Sequence, residues 1–169
     1  MNIHSPELAP ADPALTLRPV VPADEAFLLD VYTSTRAAEM VLVPWTVEQQ
    51  QAFIAMQFAS QQEQYRRKYP AASHHIILDR DRLVGTLYVA RMELEIRIVD
   101  LTLLPAERNR GIGTFLLKRL QEEAACAGKL LKIFVEDFNP SLRLFERLGF
   151  ASVEQEGIHL LLEWSRSAV

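Results

Sequence analysis

Arg108-Asn109-Arg110-Gly111-Ile112-Gly113-Thr114 stands between an apolar run, Glu95 to Leu104, and a helical stripe formed by Ile112, Leu116, Leu117, Leu120 and Ala124. Two glycines let a backbone come close to a ligand, and a helix N-terminus offers free N–H groups and a partial positive charge. Arg108 and Arg110 add cationic cover, so the expected ligand is a phosphate or pyrophosphate. A helix-entry turn needing glycine for geometry alone would read the same way. Two familiar phosphate loops do not fit. The dinucleotide fingerprint wants a third glycine where this chain has Leu116, and the P-loop wants Gly-Lys-Ser/Thr, which is absent.

Working outward, Glu95 to Leu104 is apolar on both faces through Ile96, Ile98, Val99, Leu101, Leu103 and Leu104, which places it at the centre of a sheet, and Pro105 ends it. Before it, His75 to Leu78 and Leu83 to Ala90 read as strands joined by a polar turn, Asp79 to Arg82. Gly128 closes the helix after the glycine loop. Leu130 to Val135 is a buried strand. Asn139-Pro140 opens a short helix as N-cap and first residue, running to about Leu148. Phe150–Glu154 and Ile158–Glu163 form a hairpin turning at Gly157.

Nearer the start, a short strand beginning at Leu15 is stopped by Pro19 and Pro22. Pro22 suits the first position of a helix carrying Phe27, Leu28, Val31 and Tyr32 at helical spacing, with Asp24 and Glu25 in its first turn. Met40 to Trp45 breaks that helix. Thr46 with Gln49 forms a capping box that starts a second one, extending to about Lys68. The pattern is one α/β domain over residues 15–169, with a mixed central sheet of about six to seven strands and about four helices. Met1 to Ala14, with three prolines (Pro6, Pro10, Pro13), reads as a flexible tail.

The chain has 169 residues, 49% hydrophobic and 24% charged, enough for one full core. Its formal net charge of -4 argues against a general nucleic-acid binder. The single cysteine, Cys126, has no internal partner and suits a reducing cytosol. No apolar run approaches the roughly 20 residues that span a bilayer. The start has neither the basic front nor the apolar stretch of a signal peptide. These features favour a cytoplasmic protein without a membrane or nucleic-acid partner.

Taken together, the loop and its surroundings resemble the GNAT superfamily of acetyl-CoA-dependent N-acyltransferases. Arg108, Gly111 and Gly113 meet the family's Arg/Gln-x-x-Gly-x-Gly/Ala motif, after the strand Asp100-Leu101-Thr102-Leu103-Leu104-Pro105. A second block, Asn139-Pro140 through Arg143-Leu144-Phe145-Glu146-Arg147-Leu148-Gly149-Phe150, is similar to the family's Asn…Leu-Tyr-x-x-x-Gly-Phe segment. The resemblance covers roughly Leu15 to Trp164. It implies the GNAT fold, with central strands that splay apart. It also implies acetyl-CoA as cosubstrate, pantetheine pairing with Leu101, Thr102 and Leu103, and pyrophosphate cradled by Asn109, Arg110, Gly111, Ile112, Gly113 and Thr114. Asn139 would lie near the pantetheine arm, with Ser141 and Phe145 beside it. The implied activity is N-acetyl transfer to a primary amine of a small or amino-acid-like acceptor, by direct attack in a ternary complex.

One departure stands out. The family commonly places a tyrosine in the second block to protonate the leaving thiolate, and this chain has Phe145. Ser141 is a substitute close in sequence, water is another, and the general acid is left open. For the base, Asp100 and Glu95 are the candidates on the central strand, with Glu93 beside them. Asp100 reads equally as a structural hydrogen-bonding group at the splay, and the two glutamates as surface charges. On the acceptor side, Trp45, Gln57 and Gln61 are candidates, within a stripe of Ile54, Gln57, Phe58, Gln61 and Tyr65 that also reads as a packing face. His74 and His75 are adjacent on a strand, point to opposite faces, and do not suggest a shared metal. His159 reads as a sheet residue and Cys126 as core or helix surface. The alternatives are a protein N-acetyltransferase with an open groove, or a non-catalytic acyl-CoA-binding module. A monomer and a homodimer are both compatible with the sequence.

Overall fold

A computed structural model describes residues 14–166. The expected N-terminal tail lies outside them except for Ala14, whose carbonyl accepts from the Arg80 N–H at 2.8 Å. The seven strands are β1 (Leu15–Pro19), β2 (Ser73–Asp79), β3 (Arg82–Arg91), β4 (Glu95–Leu103), β5 (Leu130–Glu136), β6 (Ala151–Glu156) and β7 (His159–Trp164). They form one sheet in the order β1-β2-β3-β4-β5-β7-β6, with the doubly apolar β4 in the middle. Every neighbouring pair is antiparallel except β4 and β5. The parallel pair is reached through a crossover helix, α3 (Ile112–Ala127).

The α3 stripe is buried at each expected position, with Leu117 and Ala124 at 0% exposure. It packs with α4 (Leu142–Arg147) against alternate residues of the sheet, including Ile77, Leu87, Val89, Ile96, Ile98 and Leu131. Each such side chain contributes roughly 1.5–3 kcal/mol by leaving water. Helices α1 (Glu25–Met40) and α2 (Val47–Lys68) lie over the opposite face of the β1–β4 half. The α2 cap forms as its sequence requires: Thr46 Oγ1 accepts from the Gln49 N–H at 3.2 Å while Gln49 Oε1 accepts from the Thr46 N–H at 2.9 Å. Strands β3 and β4 approach so closely at Gly85 that a Cβ there would sit 2.3 Å from the Thr102 carbonyl oxygen. No helix among the described residues is long and apolar enough to cross a membrane.

Two boundaries differ from the sequence reading. Pro22 opens a 3-10 turn, Pro22–Asp24, and the α-helix starts only at Glu25. Asp24 is buried, accepts from the Val21 N–H, and pairs with Arg18 at 2.8 Å. That guanidinium holds the Asp24 carboxyl down at about 2. Asn139 and Pro140 precede α4 instead of starting it, and the helix is six residues long. Asn139 does not cap the helix: its Oδ1 accepts from the Ser141 N–H at 2.8 Å, an Asx turn ahead of α4. Its carbonyl accepts the tight turn's bond from Leu142 N–H at 3.1 Å, so the chain makes one narrow turn before regular helix begins.

Candidate active site

The parallel pairing of β4 with β5 is short. It runs from Glu95 opposite Leu130 to Ile98 opposite Ile133 and then stops, although β4 continues to Leu103 and β5 to Glu136. Just there β4 bulges. Tyr88 of β3 faces Asp100 and Val89 faces Ile98, leaving Val99 as the extra residue. The strands part, and Leu101, Thr102 and Leu103 keep β3 as a neighbour while having no strand partner on the β5 side among the described residues. Apart from the Leu101 N–H, which the Asp100 carboxylate engages, and the Leu103 carbonyl, which Arg108 engages, their outward backbone groups are an open edge for an extended ligand.

The glycine loop lies at the end of that edge. Pro105–Glu107 makes a 3-10 turn, and Arg108 donates from Nε to the Leu103 carbonyl at 3.1 Å, tying the loop to the end of β4. Asn109 and Gly111 have φ of 59° and 82°. This left-handed pair turns the chain into α3 and is the reason glycine occupies position 111. The first backbone bond of the helix runs from Phe115 N–H to the Gly111 carbonyl at 3.0 Å. The N–H groups of Ile112, Gly113 and Thr114 therefore point beyond the helix end. A Cβ on Gly111 would meet nothing within 4 Å, and one on Gly113 would meet only Leu144 Cδ2 at 3.6 Å. The space over the helix end is open, as a phosphate cradle requires.

Arg110 departs from its expected place. Its guanidinium turns in to pair with Glu107 and with Asp79 at 3.2 Å. Arg82 joins the same two carboxylates, at 3.1 Å to Glu107 and 3.2 Å to Asp79. Arg110 is thus part of the loop's base and braces it against the β2–β3 turn.

Asp100 sits at the mouth of the splay. Its carboxylate accepts from Thr102 Oγ1 at 3.0 Å. Part of the residue meets solvent, yet protein atoms crowd the carboxyl, and that burial pushes it up to about 6 against the pull of the Thr102 and Leu101 hydrogen bonds. Register places Tyr88 beside Asp100 and His74 beside Tyr88 on one face. The His74 and Tyr88 rings are 4.4 Å apart, and Tyr65 of α2 packs on Tyr88 at 5.5 Å. Thr86 Oγ1 lies within hydrogen-bond distance of His74 Nε2, at 2.6 Å, and of the His75 carbonyl, at 3.2 Å. Burial holds His74 down to about 4, so it is neutral at pH 7. Burial, with the nearby Asp100 charge, raises Tyr65 well above an ordinary phenol, and it stays a neutral donor.

The other candidates are dispersed. Glu95 pairs with Arg97 at 2.6 Å and Lys132 at 3.2 Å, on the paired stretch of β4 before the opening. Gln57 and Gln61 line a crevice of about 400 Å³ between α1 and α2, with Tyr32 and Arg36 on its α1 wall. Trp45 is not part of that lining and stacks edge-on against Phe53 at 5.0 Å. Ser141 is exposed at the start of α4. Phe145 is 4% exposed and packs edge-on against Phe150 at 5.3 Å, inside the main core. His75 faces α3, away from His74, and lines a second cavity with the exposed Cys126. Sequence reasoning missed the row of His74, Tyr88 and Tyr65 around Asp100. The apolar spacing of α2 picked out Tyr65, but nothing local places it over β3.

A family model for the acetyltransferase (GNAT) family matches residues 29–150. A comparison with curated proteins finds no match. Among solved structures, the fold is similar to that of the PaiA N-acetyltransferase of Thermoplasma acidophilum in complex with coenzyme A, at 15% identity, over 88% of this chain and 97% of that one, with a TM-score of 0.66. It is similar to a GNAT family acetyltransferase from Elizabethkingia anophelis with acetyl-CoA bound, at 15% identity over 90% and 99% of the two chains, TM-score 0.57. Arabidopsis thaliana Naa50, in complex with the bisubstrate analogue CoA-Ac-MVNAL, superposes with a TM-score of 0.59 at 17% identity, over 90% and 99%. At these identities the structures speak for the fold, and the family model, matched over most of the length, speaks for the lineage: the chain belongs to the GNAT family of acetyltransferases.

Proposed function

We propose that this chain transfers an acetyl group from acetyl-CoA to the primary amine of a small or amino-acid-like acceptor, both substrates being bound at once. The observation that carries the reading is the open β4 edge running from Asp100 to a glycine-lined helix N-terminus. Pantetheine pairs with the backbone of Leu101, Thr102 and Leu103, with Asn139 across the opening. The N–H groups from Asn109 to Thr114 hold the pyrophosphate, and Arg108 covers it. Asp100 takes a proton from the acceptor ammonium. The freed amine attacks the thioester carbonyl carbon, and a β4 N–H stabilises the oxyanion. The C–S bond then breaks with its electron pair on sulfur, and the extra proton on the attacking nitrogen passes through water to that thiolate, leaving the amide and free coenzyme A thiol. A thiol of pKa near ~8.5 leaves without strong acid help, which suits a chain with Phe145 in the tyrosine's place. Much of the rate comes from holding two reactants in one cleft. The exposed free thiol of Cys126 fits a reducing compartment such as the cytoplasm.

Calorimetric titration with acetyl-CoA, followed by a thiol-release assay over an amine panel, tests this. Specific binding and amine-dependent release of coenzyme A are expected. A folded protein that binds neither acetyl-CoA nor coenzyme A refutes the reading, and binding without turnover on any amine leaves an acyl-CoA-binding module.

A further inference from the structure

The last turn of α2 spans the opening between β4 and β5. Tyr65 packs on Tyr88 of β3. Lys68, three residues on and on the same side of the helix, carries its Nζ to 5.8 Å from the centre of the Phe134 ring of β5. Phe134 is the first β5 residue past the last β4–β5 pair, Ile98–Ile133. Its ring also receives Arg97 of β4, whose Cζ stands 5.0 Å from the centroid. Register sets all of these on one face of the sheet. Arg97 lies opposite Ala90 and Asp100 opposite Tyr88, and Tyr88 and Ala90 point the same way from β3. Asp100 and the two cations thus look out on the same side, where the strands part.

The charges around the ring leave one cation over. Glu95 gives one carboxylate oxygen to Arg97, at 2.6 Å, and the other to Lys132, at 3.2 Å, and Lys132 also meets Glu163 at 3.3 Å. Two acids and two bases close that network at zero net charge. Lys68 stands outside it, exposed and with no carboxylate partner among the described residues. Arg97 keeps its other terminal nitrogen, Nη1, without a hydrogen-bond partner among the described residues. A helix C-terminus favours cations in its last turn, and Arg66 and Arg67 supply them while pairing with Glu63. Lys68 reaches across the opening instead. Two N–H donors therefore converge on one ring, and an anion at the edge of that ring accepts from both.

We propose that Lys68, with Arg97 beside it, reads the carboxylate of a free amino acid whose ammonium meets Asp100. The proposal rests on the acetyl-transfer reading and names its acceptor class. Ile98 and the bulged Val99 separate Arg97 from Asp100 along β4, about 10 Å at the usual rise per residue and less across a bulge. The lysine and arginine stems are long, so a single amino acid bridges what is left. Polyamines fit poorly, because their second cation meets Lys68. Peptide N-termini lack an acid at that distance from the amine.

The test compares initial rates with acetyl-CoA for free amino acids, their amides and spermidine, using wild type, Lys68→Met and Lys68→Arg. Free acids are expected to exceed their amides in kcat/KM. Lys68→Met should raise KM for the acids roughly 3- to 10-fold with kcat nearly unchanged, and leave the amides unaffected. Lys68→Arg should keep most of the wild-type preference. A lysine that only completes the helix end would change acids and amides alike. Amides or spermidine used as well as the acids, or a Met variant that weakens all acceptors equally, overturns the proposal. NMR titration with the free acids, in the presence of coenzyme A, separates this site from the acetyl-transfer reading. Acids that shift Phe134 and Arg97 resonances in wild type but not in Lys68→Met support the anion site even if no acetyl transfer occurs, in which case the enzymatic reading is the one that fails. Acids that shift neither protein, or both alike, overturn the proposal.

Discussion

Asp100 is held between two requirements. Burial favours its neutral form, while a base must be ionised. Its pKa in the folded chain, about 6, lies above the ordinary 3.8. The group therefore costs nothing below the unfolded value, and its destabilising contribution grows between the two values and is complete above about 6. Asp100→Asn should raise stability at pH 8 by at most about 3 kcal/mol, with the gain gone near pH 3. The same change should lower kcat on the order of 10²- to 10⁴-fold, as loss of a general base does. Denaturant melts at both pH values, with the wild-type pH–rate profile, check this; wild-type activity without an acid limb near pH 6 removes Asp100 from the role. The residue's chemistry was legible in part, since a lone carboxylate in an apolar strand announces a perturbed group. The row of His74, Tyr88 and Tyr65 beside it was not, because cross-strand register joins segments far apart in sequence.

The element that carries most information is the loop into α3. Gly111 is required by its φ of 82°, a conformation local to the chain. Gly113 has a different reason, since it lies within α3 and a Cβ there would make only an ordinary contact with Leu144. Gly113→Ala should leave the fold intact and stabilise it by up to about 1 kcal/mol. It should nevertheless weaken acetyl-CoA binding about 10-fold or more, because the methyl group occupies the phosphate's approach. Thermal melts beside calorimetric titration separate the two effects, and unchanged affinity would show that the phosphate does not sit there. Elements set by local rules were readable from sequence: the capping box of α2, the Gly128 cap, the α3 stripe and the Gly157 hairpin. Arg110 was misplaced because its partners, Asp79 and Glu107, come from a turn and a 3-10 segment whose proximity is tertiary. The start of α4 was misplaced because Asn139 closes an Asx turn as readily as it caps a helix.

At the scale of the whole molecule, Asp79, Arg82, Glu107 and Arg110 fasten the β2–β3 turn to the base of the glycine loop. Glu107 is 8% exposed and serves both guanidiniums, which are themselves 61% and 47% exposed and keep Asp79, so neutralising it loosens the cluster without stranding a buried charge. Glu107→Gln should cost about 1 kcal/mol or less and weaken acetyl-CoA binding several-fold, with kcat on saturating substrate nearly unchanged. Stability loss without any change in affinity would confine the cluster to a role in folding. The central position of β4 was foreseeable from its apolar faces, but the length of its pairing with β5 was not, since both strands continue past the point where they part.

That short pairing has a mechanical side. The two halves of the sheet meet along four residue pairs, from Glu95–Leu130 to Ile98–Ile133, and α3 spans both strands from one face. The molecule is thus a pair of slabs welded along a short seam and strapped on one side. Bending about the seam strains few hydrogen bonds, whereas sliding along it must break all of them, so the compliant motion of this protein is the one that widens or narrows its own mouth.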